Sequence, residues 1–157
     1  DSKKVKEEQF MQRIKYNFDA SSKQFYINDK DHPVEIAKDK PARWFRGFQT
    51  GGRSLLWGRG SYRFSDYDFE RNKKDGNGTD WPIRYKDIAP WYDYVEEFIG
   101  VSGTNEDLDQ YPDGKYLPPF EMNAVEKAAK KKLENHYKDR LLVPNRVAHL
   151  TKIKSGQ

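Results

Sequence analysis

Arg43-Trp44-Phe45-Arg46-Gly47-Phe48-Gln49-Thr50-Gly51-Gly52-Arg53-Ser54-Leu55-Leu56-Trp57-Gly58-Arg59-Gly60-Ser61-Tyr62-Arg63 is the stretch around which the chain is organised. It holds five of the 11 glycines and two of the four tryptophans. Two adjacent glycines followed by a small hydroxyl residue let backbone N–H groups approach a ligand closely, because no Cβ stands in the way. The arginines add positive charge and the rings add flat apolar faces. Such a segment suits a large, flat, phosphate-bearing partner, either a dinucleotide cofactor or a nucleic acid.

Outward from that stretch, composition sets the bounds. The chain has 157 residues, the size of one domain or of a piece of a larger protein. Hydrophobic residues make up only 35% and aromatics a high 15%. Disordered chains are poor in aromatics, so the chain is expected to pack, with a core resting on rings more than on aliphatics. A domain that packs against something else has this balance. The net charge of +4 comes from 29 basic and 25 acidic residues, too mixed to imply nucleic acid by itself. With no cysteine there is no disulfide frame, thiolate metal site or cysteine nucleophile. No apolar run reaches the roughly 18 residues of a membrane span. No signal peptide opens the chain. Its first residue is aspartate, which reads as a start inside a protein, after processing, or at a cloned boundary.

N-terminal to the central stretch, residues 2–15 read as a short charged helix with Phe10, Met11 and Ile14 on one face. Gln24 to Ile27 reads as a short strand. Asn28 to Pro33 has turn chemistry, and its Asp29, Asp31 and His32 match no metal-loop spacing. C-terminal to the stretch, Gly51-Gly52 marks a tight bend and Lys73 to Asp80 an exposed loop. Trp81-Pro82-Ile83-Arg84-Tyr85 opens the best helix, with Pro90 in its first turn or so. Trp91, Tyr94, Val95, Phe98 and Ile99 recur at three- and four-residue spacing and are expected to face a core, with Gly100 as the terminator. Glu96 and Glu97 diverge around the helix and are expected to be solvated. Asn123 with Glu126 starts a second helix, striped by Val125, Ala129 and Leu133 and made basic by Lys127, Lys130, Lys131 and Lys132. Arg140 to Leu150 reads as extended.

No complete active site is readable. Gly-Gly-Arg-Ser-Leu is not the Gly-x-Ser-x-Gly of a serine nucleophile. Neither a P-loop nor Gly-x-Gly-x-x-Gly occurs. His32 sits in a turn, His136 on a charged helix, and His149 beside Ala148 and Leu150 in a structural setting.

From Trp44 to about Gly103 the chain resembles the flavin-dependent glucose–methanol–choline oxidoreductases, nearest to their bacterial sugar- and polyol-dehydrogenase branch. The residues that carry the resemblance are Gly51-Gly52-Arg53-Ser54 with Trp57 and Arg63, then Asp66-Tyr67-Asp68-Phe69, Asp80-Trp81-Pro82-Ile83, and Tyr85 to Gly103. The flanks, 1–40 and 110–157, fit loosely. The resemblance implies FAD as cofactor and Gly51, Gly52, Arg53, Ser54, Trp57 and Arg63 as cofactor-binding residues, with Arg63 equally readable as structural. Leu56 stands where some members carry a flavin-linked histidine, so FAD is expected to be held non-covalently there. Two family parts are absent from these residues, the ADP-binding Gly-x-Gly-x-x-Gly unit and the C-terminal catalytic histidine. The resemblance therefore implies one internal fragment of a larger two-domain flavoprotein, inactive alone and completed by the remainder of its parent polypeptide.

The resulting expectation is an α+β chain of several helices, a few short strands and long loops. Segment 41–103 carries the flavin-contacting loop and the helix after it, and 104–157 carries a loop, the basic helix and an extended tail. The function implied is oxidation of a sugar or polyol alcohol by hydride transfer to flavin, with no nucleic acid and no membrane span. No catalytic or metal-binding residue is assigned. One competing reading is a nucleic-acid module using the arginines and rings of 43–63. Another is a carbohydrate- or protein-binding module, which requires Trp81 and Trp91 to be exposed where the family reading buries Trp91.

Overall fold

The structure is a computed structural model and describes residues 2–9, 11–15, 17–40 and 42–153. The chain divides into two compact units, Asp1–Gly58 and Arg59–Gln157. The division falls within the 41–103 segment.

In the first unit, helix α1 spans Ser2–Glu8. The expected helix to residue 15 is shorter because residues 11–14 form turns, stapled to another segment. Asp29 Oδ2 accepts from the Met11 amide at 2.7 Å, and its Oδ1 accepts from Gln12 Nε2 at 3.2 Å. Gln9 and Asn28 add a side-chain bond at 2.6 Å. Those bonds also explain Asp29: it ties a turn to the chain before it. Of the three residues expected on the α1 face, Met11 is buried, Ile14 is exposed and Phe10 lies outside the described residues. Phe18 and Tyr26 meet edge-on at 5.2 Å and, with Met11 and Ile27, form the small core of this unit. The expected strand at Gln24–Ile27 is instead a 3-10 turn, Lys23–Phe25, followed by two extended residues. Ile27 N–H donates to the Arg46 carbonyl at 3.0 Å, a single link where a ladder needs several.

The second unit begins with Arg59 in left-handed backbone, φ 60°, passes through the bridge residue Gly60 to Phe64 without helix, and then forms two short helices. Ser65 caps α2, Asp66–Phe69, through a reciprocal bond pair with Asp68. Helix α3, Arg71–Asp75, takes the first part of the loop expected at 73–80. Ion pairs at four-residue spacing, Arg71–Asp75 at 2.6 Å and Lys74–Glu70 at 2.8 Å, support it, and Gly76 ends it with a left-handed φ of 68°.

Helix α4 runs Tyr85–Ile99. It opens four residues after Trp81, where the Asp87 carboxylate accepts from the Arg84 amide at 2.8 Å. Pro90 lies inside it rather than in its first turn. Gly100 terminates it as expected, at φ 74°, donating to the Glu96 carbonyl at 3.0 Å.

The chain then supplies three strips that pair one bridge at a time. Ser102 bridges Leu117 in parallel and Val147 antiparallel, and Val147 lies on the strip that also bridges Gly60. The order across the array is 117, 102, 147, 60. Val101 and Ser102 at its centre are fully buried. Helix α5, Ala124–His136, has the expected capping box, with Asn123 Oδ1 accepting from Glu126 N at 2.9 Å and Glu126 Oε2 from Asn123 N at 2.7 Å. Its expected apolar stripe is not buried: Val125 and Ala129 are exposed and Leu133 is half-buried. Among the described residues the regular elements are helices, and extended pairing is confined to isolated bridges.

The aromatic face of α4 is turned to solvent. Trp91 is 69% exposed, Tyr94 63% and Phe98 64%, with Val95 and Ile99 also exposed. The inward face carries Tyr85, Tyr92 and Glu96 instead. The expectation that the apolar stripe is core is therefore corrected within this chain. Polar anchoring of the face that carries Glu96, described next, sets the rotation of the helix.

Candidate functional site

Gly51, Gly52, Arg53, Ser54 and Trp57 all lie in the first unit, on one local structure. Gly51 and Gly52 both take left-handed backbone, φ 88° and 53°, and lead into a 3-10 turn, Gly52–Leu55. These are conformations that side chains resist, so the glycine pair is required by the bend. The turn closes on itself: Gly52 N–H donates to the Gln49 carbonyl at 2.8 Å, and Gln49 Nε2 donates back to the Gly52 carbonyl at 2.9 Å. A Cβ on Gly52 would meet nothing within 4 Å, so that side of the bend is open. Ser54 is exposed on the turn and Trp57 follows it, also exposed. The Arg53 guanidinium donates to the Phe45 carbonyl, which folds the loop back on its own start. Arg46 similarly donates to the His32 carbonyl. These two arginines brace the loop.

Arg63 lies in the second unit, in a different environment. Its side chain is 2% exposed. Nε donates to Glu96 Oε1 at 2.8 Å and Nη1 to the Tyr85 hydroxyl at 2.8 Å, while Nη2 reaches both Asp93 and Glu96. The guanidinium carbon also lies 5.6 Å from the centre of the Tyr92 ring. Burial alone pushes the Arg63 pKa down, but the bonds from Glu96, Asp93 and Tyr85 outweigh it and raise it, so the charge is fixed. Glu96 is thus buried and paired, which corrects its expected solvation; Glu97, its neighbour, is exposed as expected and lies 3.9 Å from Lys115 Nζ. The helical period does carry a signal for this. Tyr85, Tyr92 and Glu96 share one face of α4, centred about a third of a turn from the middle of the apolar stripe.

A second buried cation, Arg146, was not singled out by the sequence. Its side chain is fully buried, with the guanidinium 3.5 Å from the centre of the Tyr111 ring and 4.8 Å from that of Tyr116. It donates to the carbonyls of Thr104, Tyr111 and Pro112 and to Asp113 Oδ1 at 3.1 Å. Burial, and the nearby Glu96 carboxylate, raise the Tyr116 hydroxyl pKa above its usual value. That hydroxyl is buried with no hydrogen-bond partner among the described residues.

The second unit also has an acidic groove of about 630 Å³ between Asp66, Tyr85, Asp107 and Asp113. Two of its carboxylates serve the backbone: Asp66 accepts from the Tyr85 amide at 2.7 Å, and Asp113 from those of Glu106 and Asp107 at 2.8 and 3.0 Å. Among the described residues no group of three or more His, Cys, Asp or Glu side chains is placed to hold a metal ion. No helix among them is long and apolar enough to cross a membrane. Of the histidines, His149 Nε2 lies 3.0 Å from Arg59 Nη1 and its ring meets Phe120 edge-on, a structural setting.

The geometry therefore offers one open glycine turn with a hydroxyl and an indole beside it, and two cation-centred clusters that are already saturated. No protein-family profile matches the chain. Short local similarities exist to three curated proteins. The paromamine 6'-oxidase of Streptomyces fradiae is 36% identical over 59 residues, 36% of this chain and 11% of that protein. The 2-methyl-1,2-propanediol dehydrogenase of Mycolicibacterium austroafricanum is 37% identical over 66 residues, 41% of this chain and 12% of that protein. The 6'''-hydroxyparomomycin C oxidase of Streptomyces lividus is 27% identical over 77 residues, 43% of this chain and 14% of that protein. The matched part thus spans about an eighth of the length of these relatives. All three are named as oxidases or dehydrogenases, and the similarity points to an oxidoreductase-type function.

Proposed function

We propose that the chain is part of an FAD-dependent oxidoreductase of the glucose–methanol–choline type, within a larger α+β flavoprotein, that oxidises alcohol groups of a sugar or polyol. The observation that carries this reading is the local similarity to two oxidases and a diol dehydrogenase. The open turn at Gly51-Gly52 supports it. Gly52 has free space where a Cβ would stand, and Ser54 and Trp57 are exposed beside it. These residues fit a flat phosphate-bearing cofactor, because backbone can approach it and an indole can lie against it. When bound, FAD supplies a hydride acceptor for the alcohol carbon.

The chain's own residues then divide by task. Gly51, Gly52, Ser54 and Trp57 line the cofactor side of the turn. Arg53 holds that turn through the Phe45 carbonyl. The Arg63 guanidinium is taken up by Glu96 and Asp93, which it neutralises so that α4 can pack. None of the three histidines is proposed as the proton acceptor, which belongs to the remainder of the polypeptide.

The test is to purify the product of the complete reading frame and look for bound flavin by its absorbance. Anaerobic addition of sugars and polyols should bleach that absorbance. A product with no flavin, or a flavin that no alcohol reduces, rejects the assignment.

A second reading has an observation in its favour. Trp81 is 47% exposed and Trp91 69% exposed, as a carbohydrate- or protein-binding surface requires. The nucleic-acid reading gains nothing comparable, since Arg46 and Arg53 are committed to carbonyls and Arg63 is buried.

A further inference from the structure

Helix α4 presents five apolar side chains to solvent in one continuous stripe: Trp91, Tyr94, Val95, Phe98 and Ile99. Tyr94 and Phe98 stack at 6.2 Å with rings 11° from parallel, so part of the face is already flat and ordered. The three rings alone present roughly 400 Å². With Val95 and Ile99 the stripe is about as large as the largest apolar patch an ordinary monomer carries, ~300–600 Å². The helix itself is well made, with a polar start and a left-handed glycine stop, and its neighbouring polar face is pinned by the Arg63–Glu96 pair. It therefore cannot rotate to hide the stripe. The unit that carries it is also short of apolar burial. Among its described residues the buried apolar side chains are Phe69, Val101 and Pro112, and Val125 on α5 is exposed as well.

We infer that the outer face of α4 is an internal docking surface, covered by an apolar face of the same polypeptide chain lying outside these 157 residues. Two observations choose this occupant. The curated relatives are far longer than the matched part, 59 to 77 residues of this chain making up 11–14% of them. The area is also right for it. A free-standing dimer needs about 800 Å² on each side, more than the stripe supplies, whereas a face within one polypeptide is not paid for in lost translational freedom. The inference rests on the proposed function only in taking the chain as part of a longer oxidoreductase.

Hydroxyl-radical footprinting of the complete reading-frame product tests it, with the 157-residue chain as reference. Oxidation of Trp91, Tyr94 and Phe98 should fall several-fold in the longer product, while Val125 serves as an internal comparison. In parallel, Trp91→Glu should leave the helix content and melting of the 157-residue chain unchanged and lower the Tm of the longer product by roughly 5 °C or more. Equal oxidation in both, or a reading frame that supplies no further body, overturns the inference. So does a 157-residue chain that sediments as a dimer and becomes monomeric with Trp91→Glu, which would assign the face to a second copy. A longer product that binds no flavin yet protects the stripe would reject the flavin reading alone and leave the docking surface standing.

Discussion

At the scale of single residues, the second unit is held by buried charge more than by apolar mass. Arg63 is the clearest case, because its removal would strand Glu96 in a buried site. Breaking a buried pair by deleting one partner costs about 3–5 kcal/mol, so Arg63→Met should destabilise the chain by that amount in urea unfolding. Arg63→Lys should recover little of it, since a single ammonium cannot reach Glu96, Asp93 and Tyr85 together. Tyr116 gives the opposite expectation. Its hydroxyl is buried without a partner among the described residues, so Tyr116→Phe should be neutral or slightly stabilising at pH 7. Burial raises the folded-state pKa of that hydroxyl. Its contribution is then complete below the unfolded tyrosine pKa of about 10 and is lost as the pH climbs past it. Unfolding at pH 8 and pH 11 should show Tyr116→Phe gaining about 1 kcal/mol on the wild type over that interval. Neither effect was visible from the chain alone. Sequence shows Arg63, Tyr85 and Glu96 many positions apart, and only the fold brings the guanidinium to 2.8 Å from both partners.

At the scale of elements, local signals proved dependable wherever backbone chemistry decides. Gly100 as a stop, Asn123 with Glu126 as a start, and the Gly51-Gly52 bend are all found. Each rests on a conformation or a short-range bond that the residue type itself favours. Gly100→Ala should cost about 1–3 kcal/mol, because a Cβ there meets Leu150 and Leu117 as well as a strained φ; thermal unfolding measures it. Asn123→Ala should behave differently. The cap is worth about 1 kcal/mol, but α5 has no buried residue, so the loss should appear as faster amide exchange in α5 while global stability barely moves. Two expected elements failed because pairing elsewhere in the chain decided them. The strand at 24–27 had no partner to form a ladder, and the loop at 73–80 gave its first residues to α3 through ion pairs with Glu70 and Asp75.

At the scale of the whole molecule, few apolar side chains among the described residues are buried, and the aromatic face of α4 is outside. That agrees with a chain that is completed by further protein. The proposed function then predicts that the purified 157-residue chain, supplied with FAD and a dye acceptor, oxidises no sugar or polyol. A spectrophotometric dye-reduction assay decides this, and robust turnover would sink the claim that the chain needs its remainder. The candidate cofactor turn was legible from Gly51, Gly52 and Ser54, because positive φ and an open approach demand glycine. The grouping of Arg63 with that turn was not decided by spacing. The structure puts Arg63 into the second unit and surrounds it with acids from α4.

By itself, the sequence determined the glycine bend, the helix boundaries set by caps, the lack of any cysteine chemistry, and the apolar stripe on α4 as a periodic fact. Tertiary structure alone decided which way that stripe points. Periodicity fixes the angle between two faces of a helix but not which of them meets protein. Here the polar face turns inward, because Arg63 reaches it from a segment more than 20 residues earlier and binds Glu96 in a site closed to water.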